Sequence, residues 1–317
     1  MPPKRSVLGF GTQQARARAR QSLGRLRDLR VNRGTLIRYL TAVTRFLWWC
    51  EACQLSLGIT WDEIDSQLCC FLESLWEEGE AKAVAGDTIS GVQHLLVTRR
   101  RFPGAWQLFT TWGRHEMPVR APPFPPLIIL AMAGLAVSEG RLDLCALILA
   151  AFHCCLRTGE MLSLCASNVG LSTAFTGALA LPWTKIGQQR GAQEMVTIDD
   201  PLVGFWLHQA CSGLLADRPI LRTTGHDFRA WFAKALITLN LQNMRFKPYS
   251  LRRGGACMDF TLYQDIQHTL FRGRWSDIRT GRIYITDGAA ALTALRIPPQ
   301  AVPSLDYFKS IVLNHAS

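Results

Sequence analysis

A run of prolines near the middle of the chain divides it into two parts. The stretch VRAPPFPP, which ends at Pro126, holds four prolines in eight residues. Proline cannot continue a helix interior or a central strand, because it lacks the backbone N–H and clashes with the preceding turn. We therefore predict a semi-rigid linker over 118–127, between domains at 35–117 and 128–317. With 317 residues, the chain is long enough for two hydrophobic cores.

The segment 35–117 has the pattern of a small helical bundle. Apolar residues from Leu36 to Leu47 recur at helical spacing and predict a helix that ends near Cys53. Thr60 and Glu63 have the spacing of a capping box for a second helix. Asp87 is the predicted cap of a third helix, and 106–112 predicts a short fourth one. Four helices with short connections form a bundle.

The segment 128–317 is mainly helical, with one break in character at 176–198. There TGALALPWTK and EMVTID have the composition of strands, and the turn between them contains Gly187 and Gly191. The predicted fold class is therefore mainly α with a small β-hairpin or sheet. The apolar runs 126–137 and 142–156 fall short of the roughly 20 residues that a membrane span needs.

Positive charge is concentrated in two stretches of the chain. The net charge is +11, and residues 1–40 hold ten Lys and Arg against one Asp, while 245–282 hold eight against three acidic residues. Two basic stretches on a nearly neutral body are typical of a protein that contacts a polyanion in two places. We interpret 1–34 as a basic arm that contacts this polyanion, with a solvated tail as the alternative.

The ten cysteines do not indicate a disulfide scaffold or a metal site. Disulfide scaffolds are a feature of small secreted chains, and this chain is long and has no leading apolar segment. Cys50 and Cys53 are followed by the adjacent pair Cys69 and Cys70, and adjacent cysteines are poorly placed as half of a zinc site. We predict reduced thiols and no metal, and an intracellular location, nuclear if the chain is eukaryotic.

Four separated strings hold residues suited to cutting a phosphodiester without a metal. A nucleophile, positive charge for the non-bridging oxygens and a proton for the departing oxygen are needed. A tyrosine conserves the bond energy as a phosphotyrosine, arginines hold a phosphate bidentately, and a lysine with a lowered pKa can act as general acid. The candidates are Arg157 and Glu160 in CLRTGE, Lys185 in PWTK, Tyr249 and Arg252 in PYSLRRGG, and Trp275 and Tyr284 in GRWSDIRTGRIYI.

In this order the residues resemble the tyrosine recombinase and phage integrase family, and SLRRGG with GRWS is closest to DIRS-like recombinases of eukaryotic mobile elements. The resemblance covers about 125 to 290, and the amino-terminal bundle is similar to the family's core-binding domain. It implies these roles: Arg157 and Arg252 bind the phosphate, Lys185 is the general acid, Trp275 hydrogen-bonds the phosphate, Glu160 supports the site, and Tyr284 is the nucleophile.

The resemblance implies a site-specific recombinase or integrase that forms a 3′-phosphotyrosyl intermediate without metal or other cofactor. Its partner would be double-stranded DNA, held between the two domains by a homotetramer. We expect DNA contacts from Arg99, Arg100, Arg101, Arg253 and Arg274. The carboxy-terminal residues 288–317 are long enough to dock on a neighbouring subunit, and packing on their own chain fits equally well.

One position departs from the family's pattern, and it keeps other functions open. Tyr249 stands where the family commonly has His, and a tyrosine does not carry protons near neutral pH as histidine does. A DNA-binding protein that kept the fold and lost activity is therefore an alternative, as is a nicking and closing activity like that of type IB topoisomerases. Each residue also has a simpler interpretation: an intrahelical ion pair for Arg157 and Glu160, core aromatics, and a solvated turn lysine.

Overall fold

The computed structural model describes residues 12–21, 25, 28–98, 101–116, 119–181 and 194–315. The chain forms two compact units, Met1–Val119 and Arg120–Ser317. The predicted fold class is confirmed, because the chain is mainly helical with a small antiparallel sheet. Among the helices of these ranges, none is long and apolar enough to cross a membrane.

The first unit is a helical bundle with its own apolar core. Its core side chains include Phe46, Leu68, Ile89 and Phe102, each at most 1% exposed. The helices, from the amino-terminal end, are α1 (Gln13–Gln21), α2 (Arg33–Ala52), α3 (Trp61–Glu77), α4 (Lys82–Leu95) and α5 (Pro103–His115).

The helix ends of this unit test the predicted caps. Thr60 Oγ1 accepts a hydrogen bond from the Glu63 N–H, and the Glu63 carboxylate accepts one from the Thr60 N–H at 2.9 Å, so the capping box is confirmed. The cap predicted at Asp87 is wrong. The alanines of the preceding AKAVA favour helix and extend α4 back to Lys82, which places Asp87 within the helix, 3.8 Å from Arg38.

At the centre of the second unit lie two almost wholly apolar helices, Pro126–Ser138 and Leu142–His153. These two are buried on nearly all sides, as expected for helices without a polar face. The helices of this unit are α6 (Pro126–Ser138), α7 (Leu142–His153), α8 (Thr158–Leu162), α9 (Pro201–Cys211), α10 (Gly225–Thr238), α11 (Tyr249–Tyr263), α12 (Ile266–Gly273), α13 (Ile278–Arg282), α14 (Asp287–Leu295) and α15 (Val302–Asn314).

A three-stranded antiparallel sheet lies between α8 and α9 in the chain. The strands are β1 (Val169–Leu171), β2 (Gly177–Leu181) and β3 (Glu194–Ile198), in spatial order β1-β2-β3. The two predicted strands are confirmed as β2 and β3, which pair with Leu179 opposite Val196. The short strand β1 was not predicted, because three residues that include a glycine carry no alternating pattern.

The proline-rich segment that was predicted as a linker contributes to the second unit. Phe124 is buried, its ring stacks on that of Phe246 with centroids 4.1 Å apart, and its N–H donates to the Ser250 carbonyl. Helix α6 begins at Pro126, where a missing N–H costs nothing. The prolines therefore set the extended course of 120–125 across the core.

The carboxy-terminal helix α15 packs on α6 of the same chain. A methyl group on Gly134 would lie 1.7 Å from the Phe308 carbonyl oxygen, so the two helix backbones are in close contact. Leu305 and Val312 of α15 are fully buried. Of the two alternatives for this segment, the structure has packing within the chain.

Candidate active site

Four of the residues singled out from the sequence form one cluster in the second unit. The Tyr284 ring lies 4.5 Å from that of Trp275 and 5.6 Å from that of Tyr249, measured between centroids. The guanidinium carbon of Arg252 lies 5.2 Å from the Tyr284 ring centroid and 4.7 Å from that of Trp275. Side chains far apart in the chain therefore meet around one arginine.

Arg252 is held at the centre of this cluster by backbone carbonyls. Its side chain is completely buried, Nη1 donates to the Cys155 carbonyl, and Nη2 donates to the Gly273 carbonyl at 2.6 Å. Cys155 has a left-handed backbone at the end of α7, and the Leu156 N–H donates to the Ala151 carbonyl, as in a Schellman ending. This ending exposes the carbonyl that Arg252 binds.

The two glycines of LRRGG allow α11 to approach α7 closely enough for these contacts. A methyl group on Gly255 would lie 1.9 Å from the Phe152 carbonyl oxygen, and one on Gly254 would lie 2.3 Å from the Phe124 carbonyl oxygen. Any side chain at either position would push α11 outward and withdraw Arg252 from the Cys155 carbonyl.

Trp275 is placed by a tight turn after α12. Arg274 has a left-handed backbone, and the Trp275 N–H donates to the Leu270 carbonyl at 2.9 Å. The indole then folds over Gly273, where an added methyl group would lie 1.8 Å from the ring. Trp275 is 7% exposed and packs with Cys155, Ala256 and Leu270.

Arg157 enters the site at the start of α8 and is paired with a buried carboxylate. Arg157 Nη1 lies 2.6 Å from Glu160 Oε1, and Glu160 Oε2 accepts from the Arg157 N–H at 2.8 Å. Arg274 Nη2 donates to the same Oε2 at 2.7 Å. Glu160 therefore joins two arginines, so a simple intrahelical pair does not describe this contact.

Positive charge exceeds negative charge around Arg252. Its hydrogen bonds go to carbonyls, and no carboxylate of the described residues pairs with it. Burial, and next the charges of Arg157 and Arg274, lower the pKa of Arg252 below its usual value. A buried cation without a counter-ion is unfavourable, so the cluster favours binding of an anion.

The two tyrosines of the cluster have pKa values shifted in opposite directions. Burial opposes ionisation of Tyr284, but hydrogen bonding with Tyr249 and the charge of Arg252 outweigh it, so its pKa is lowered. Burial and hydrogen bonding with Tyr284 raise the pKa of Tyr249 well above the usual value. Tyr249 therefore stays protonated as a donor, and Tyr284 is the phenol that ionises more easily.

Two buried donors of the cluster have no well-placed acceptor among the described residues. Arg252 Nε and Trp275 Nε1 are inaccessible to water and make no hydrogen bond to the described part of the chain. Buried N–H groups without partners are rare in folded proteins. Both donors belong to side chains that contact Tyr284, which suits a site completed by an oxygen-rich group.

Two of the arginines predicted to contact DNA, Arg253 and Arg274, are nearly buried and bind protein groups. Arg253 is 5% exposed, and its guanidinium donates to the Ala121 carbonyl and to Thr286 Oγ1 at 3.1 Å. These contacts anchor the segment that follows Tyr284. The Arg274 side chain is 6% exposed and engaged by Glu160.

The other predicted residues divide between the first unit and the part of the chain that is not described. Arg101 is exposed, with its guanidinium 5.6 Å from the ring centroid of Trp61. Arg99, Arg100 and Lys185 lie outside the described residues. Across the described ranges, no group of three His, Cys, Asp or Glu side chains is arranged to hold a metal ion.

A network of ion pairs beside the cluster was not found from the sequence. Arg272 Nη2 lies 2.5 Å from Asp199, and its Nε lies 2.8 Å from Asp259. His153 belongs to the same network, with Nε2 2.6 Å from Asp199 Oδ1. Burial, and next the charge of Arg272, lower the pKa of His153. The one sequence signal for this network is the pair of adjacent aspartates, Asp199 and Asp200, that follows β3.

Comparison with solved structures shows which fold the chain has. The Tn1549 transposon integrase, solved in complex with transposon right end DNA, matches with a TM-score of 0.57 at 12% identity, over 89% of this chain and 98% of that one. XerA recombinase matches with a TM-score of 0.42 at 17% identity, over 86% and 94%. No protein-family model and no curated protein matches the sequence. Because the Tn1549 integrase matches over 98% of its own chain, the protein has the fold of a transposon integrase.

Proposed function

We propose that this protein is a site-specific DNA recombinase or integrase of the tyrosine recombinase kind, with Tyr284 as nucleophile. The observation that carries the proposal is the contact of the Tyr284 ring with a buried arginine that forms no ion pair with a carboxylate of the described residues. The shared fold with a transposon integrase supports it. The closer likeness to DIRS-like elements stays a prediction from the sequence.

In the proposed reaction the Tyr284 oxygen attacks a DNA phosphorus, and the bond to the 5′ oxygen breaks. The products are a 3′-phosphotyrosyl link and a 5′ hydroxyl, and attack by another 5′ hydroxyl reverses the step. Arg252 and Arg157 bind the non-bridging oxygens, whose charge grows in the transition state. The Trp275 N–H, which has no well-placed acceptor in the described part of the chain, donates to one of these oxygens. Lys185 is the proposed proton donor to the departing oxygen.

Tyr249 has a role in this scheme that its chemistry permits. Because its pKa is raised, it remains a hydrogen-bond donor at neutral pH. Donation to the Tyr284 oxygen stabilises the phenolate, which is the attacking form. A tyrosine at the position that is commonly His thus favours activation of the nucleophile in place of proton transfer.

A duplex with a nick next to the cleavage site tests the proposal. Cleavage releases a short fragment that carries the 5′ hydroxyl, and because this fragment diffuses away, the strand cannot be rejoined and the covalent adduct accumulates. We expect an adduct that is resistant to denaturing electrophoresis with the wild-type protein and none with Tyr284→Phe. Tyr307→Phe is the matched control, since Tyr307 is exposed on α15, the helix that packs on α6. It should leave the adduct unchanged.

The outcomes separate the alternative functions. Binding of the duplex with no adduct from any tested sequence would favour a DNA-binding protein without activity. Relaxation of supercoiled DNA without exchange between two sites would favour nicking and closing as in type IB topoisomerases. Double-stranded DNA is the proposed partner, and the homotetramer and the nuclear location stay predictions to be tested by sizing on DNA and by imaging.

A further inference from the structure

We infer that Arg253 is a positioning residue for Tyr284, which holds the backbone on both sides of the proposed nucleophile against helix α11. Tyr284 lies on the short connection 283–286 between α13 and α14. This role deepens the proposed function and rests on it, because its readout is the attack assigned to Tyr284. It concerns the placement of the nucleophile, whereas Arg252 is assigned to the phosphate.

The connection that carries Tyr284 relies on side chains for part of its hydrogen bonding. The Tyr284 and Ile285 N–H groups both donate to the Gly281 carbonyl, at 2.8 and 3.1 Å. The Ile283 and Tyr284 carbonyls and the Thr286 N–H instead bond to side chains of α11. Backbone groups that are paired in this way take the positions that those side chains give them. The placement of Tyr284 therefore depends on α11.

Three residues of α11 that are spaced four apart contact this connection: Tyr249, Arg253 and Cys257. Residues four apart lie on the same face of a helix. The ring of Tyr249 lies 5.6 Å from that of Tyr284, measured between centroids. Cys257 Sγ donates to the Tyr284 carbonyl at 3.3 Å and accepts from the Thr286 N–H at 3.4 Å. Arg253 lies between the two, one turn from each.

The Arg253 guanidinium joins the connection to the extended segment that precedes α6. Nη2 donates to Thr286 Oγ1 at 3.1 Å and to the Ile283 carbonyl at 3.5 Å, and Nη1 donates to the Ala121 carbonyl. A planar guanidinium fixes the directions of its donors, which a lysine ammonium does not. Because Ile283 precedes Tyr284 and Thr286 follows it, Arg253 restrains the backbone on both sides of the nucleophile.

Stability does not account for an arginine at this position. Arg253 is 5% exposed, its hydrogen bonds go to uncharged oxygens, and its Nε makes no hydrogen bond to the described part of the chain. Burial lowers the pKa of Arg253, which reflects the cost of a charge removed from water. An apolar side chain would avoid that cost, so the arginine is explained by the groups that it holds in place.

The experiment compares two reactions at the same phosphate, of which only one uses Tyr284. The first is formation of the covalent adduct on the nicked duplex. The second is carried out in the Tyr284→Phe background, with one strand that ends in a 3′-(4-nitrophenyl) phosphate. The 5′ hydroxyl of the adjacent strand attacks this phosphorus and loses its proton to the solvent, the bond to nitrophenolate breaks, and the two strands are joined.

Arg253→Met should slow adduct formation roughly a hundredfold and strand joining by less than about twofold, because only the first reaction requires Tyr284 in place. Thr286→Val removes one acceptor of Arg253 and should give the same pattern with a loss of roughly tenfold. Thr286→Ser keeps the hydroxyl and should restore most of the rate. Arg252→Met should abolish both reactions, because both need the phosphate to be bound.

Thr280→Val is the matched control, with the same change four residues before Tyr284. Thr280 is exposed on α13. It should leave both rates unchanged, and thermal unfolding should show the variants folded. If Arg253→Met does not fold, the comparison of Thr286→Val with Thr286→Ser carries the test.

Equal losses in the two reactions for Thr286→Val would overturn the inference, since the contact would then support the phosphate site or the fold as a whole. An undiminished rate of adduct formation in Arg253→Met and Thr286→Val would overturn it as well. A wild-type protein that forms no adduct, together with a Tyr284→Phe variant that joins no strands, would instead refute the proposed function.

Discussion

Arg252 and Arg272 are both buried in the second unit, and their surroundings differ in one respect. Arg272 is neutralised by the carboxylates of Asp199 and Asp259, whereas Arg252 donates to two carbonyl oxygens and has no carboxylate partner in the described ranges. In a buried ion pair, each charge is balanced by its partner within the protein. A buried lone cation leaves charge for a ligand, so the difference separates a structural arginine from one suited to a phosphate.

Substitution of each arginine by methionine should show this difference most strongly. Arg272→Met removes the arginine partner of the nearly buried Asp259 and leaves it only Thr269 Oγ1 and His268 Nδ1, so we expect the free energy of unfolding to fall by about 3–5 kcal/mol. Arg252→Met removes an unneutralised charge, and we expect a change of less than about 2 kcal/mol or a gain, together with loss of the covalent adduct. Urea denaturation of both variants measures the two changes in the free energy of unfolding. Equal losses in Arg272→Met and Arg252→Met would contradict the distinction between the two arginines.

The pH dependence of adduct formation tests the role of Tyr249 beside Arg252. The pKa of Tyr284 is lowered in part by Tyr249, so the phenolate fraction is lost as pH falls and regained as pH rises. In Tyr249→Phe the pKa of Tyr284 rises, and the rising limb of the pH–rate profile moves to higher pH. At pH 7 we expect a loss of roughly tenfold, which shrinks at higher pH. A uniform loss at every pH would assign Tyr249 to packing alone.

The positive charge of the basic arm, which belongs neither to the surroundings of Arg252 nor to those of Arg272, should affect DNA binding and leave the rate of the chemical step unchanged. Phosphate contacts release counter-ions, so DNA affinity should fall steeply as salt rises. Deletion of residues 1–33 should lower the slope of log affinity against log salt, while the rate of adduct formation at saturating DNA changes by less than about twofold. An unchanged slope would show that the basic arm does not contact DNA. This is the smallest effect expected on the reaction.

The sequence was most informative where chemistry restricts the residue types. Tyr284 and Arg252 were selected for what a phosphate requires and Trp275 from the family resemblance, and the structure brings their side chains together. The mainly helical fold and the strands β2 and β3 followed from periodicity and composition. The action of the site on DNA is tested by the nicked-duplex experiment.

What the sequence did not reveal depends on pairing between distant residues. Asp199 and Arg272 are 73 residues apart, and nothing local to either indicates the other. Arg253 and Arg274 carry the charge expected of DNA contacts, and only the folded chain shows them buried against protein acceptors. The cap at Asp87 was wrong because the helix propensity of the alanines before it prevailed over the capping preference.

Two tyrosines share the site, so the residue that carries the DNA is the most direct test of the central claim. After the adduct is trapped, digestion with trypsin separates the peptide that follows Arg282 and contains Tyr284 from the one that follows Arg245 and contains Tyr249. Mass spectrometry should find the nucleotide phosphate on the Tyr284 peptide. A phosphate on the Tyr249 peptide, or an undiminished adduct in Tyr284→Phe, would contradict the account.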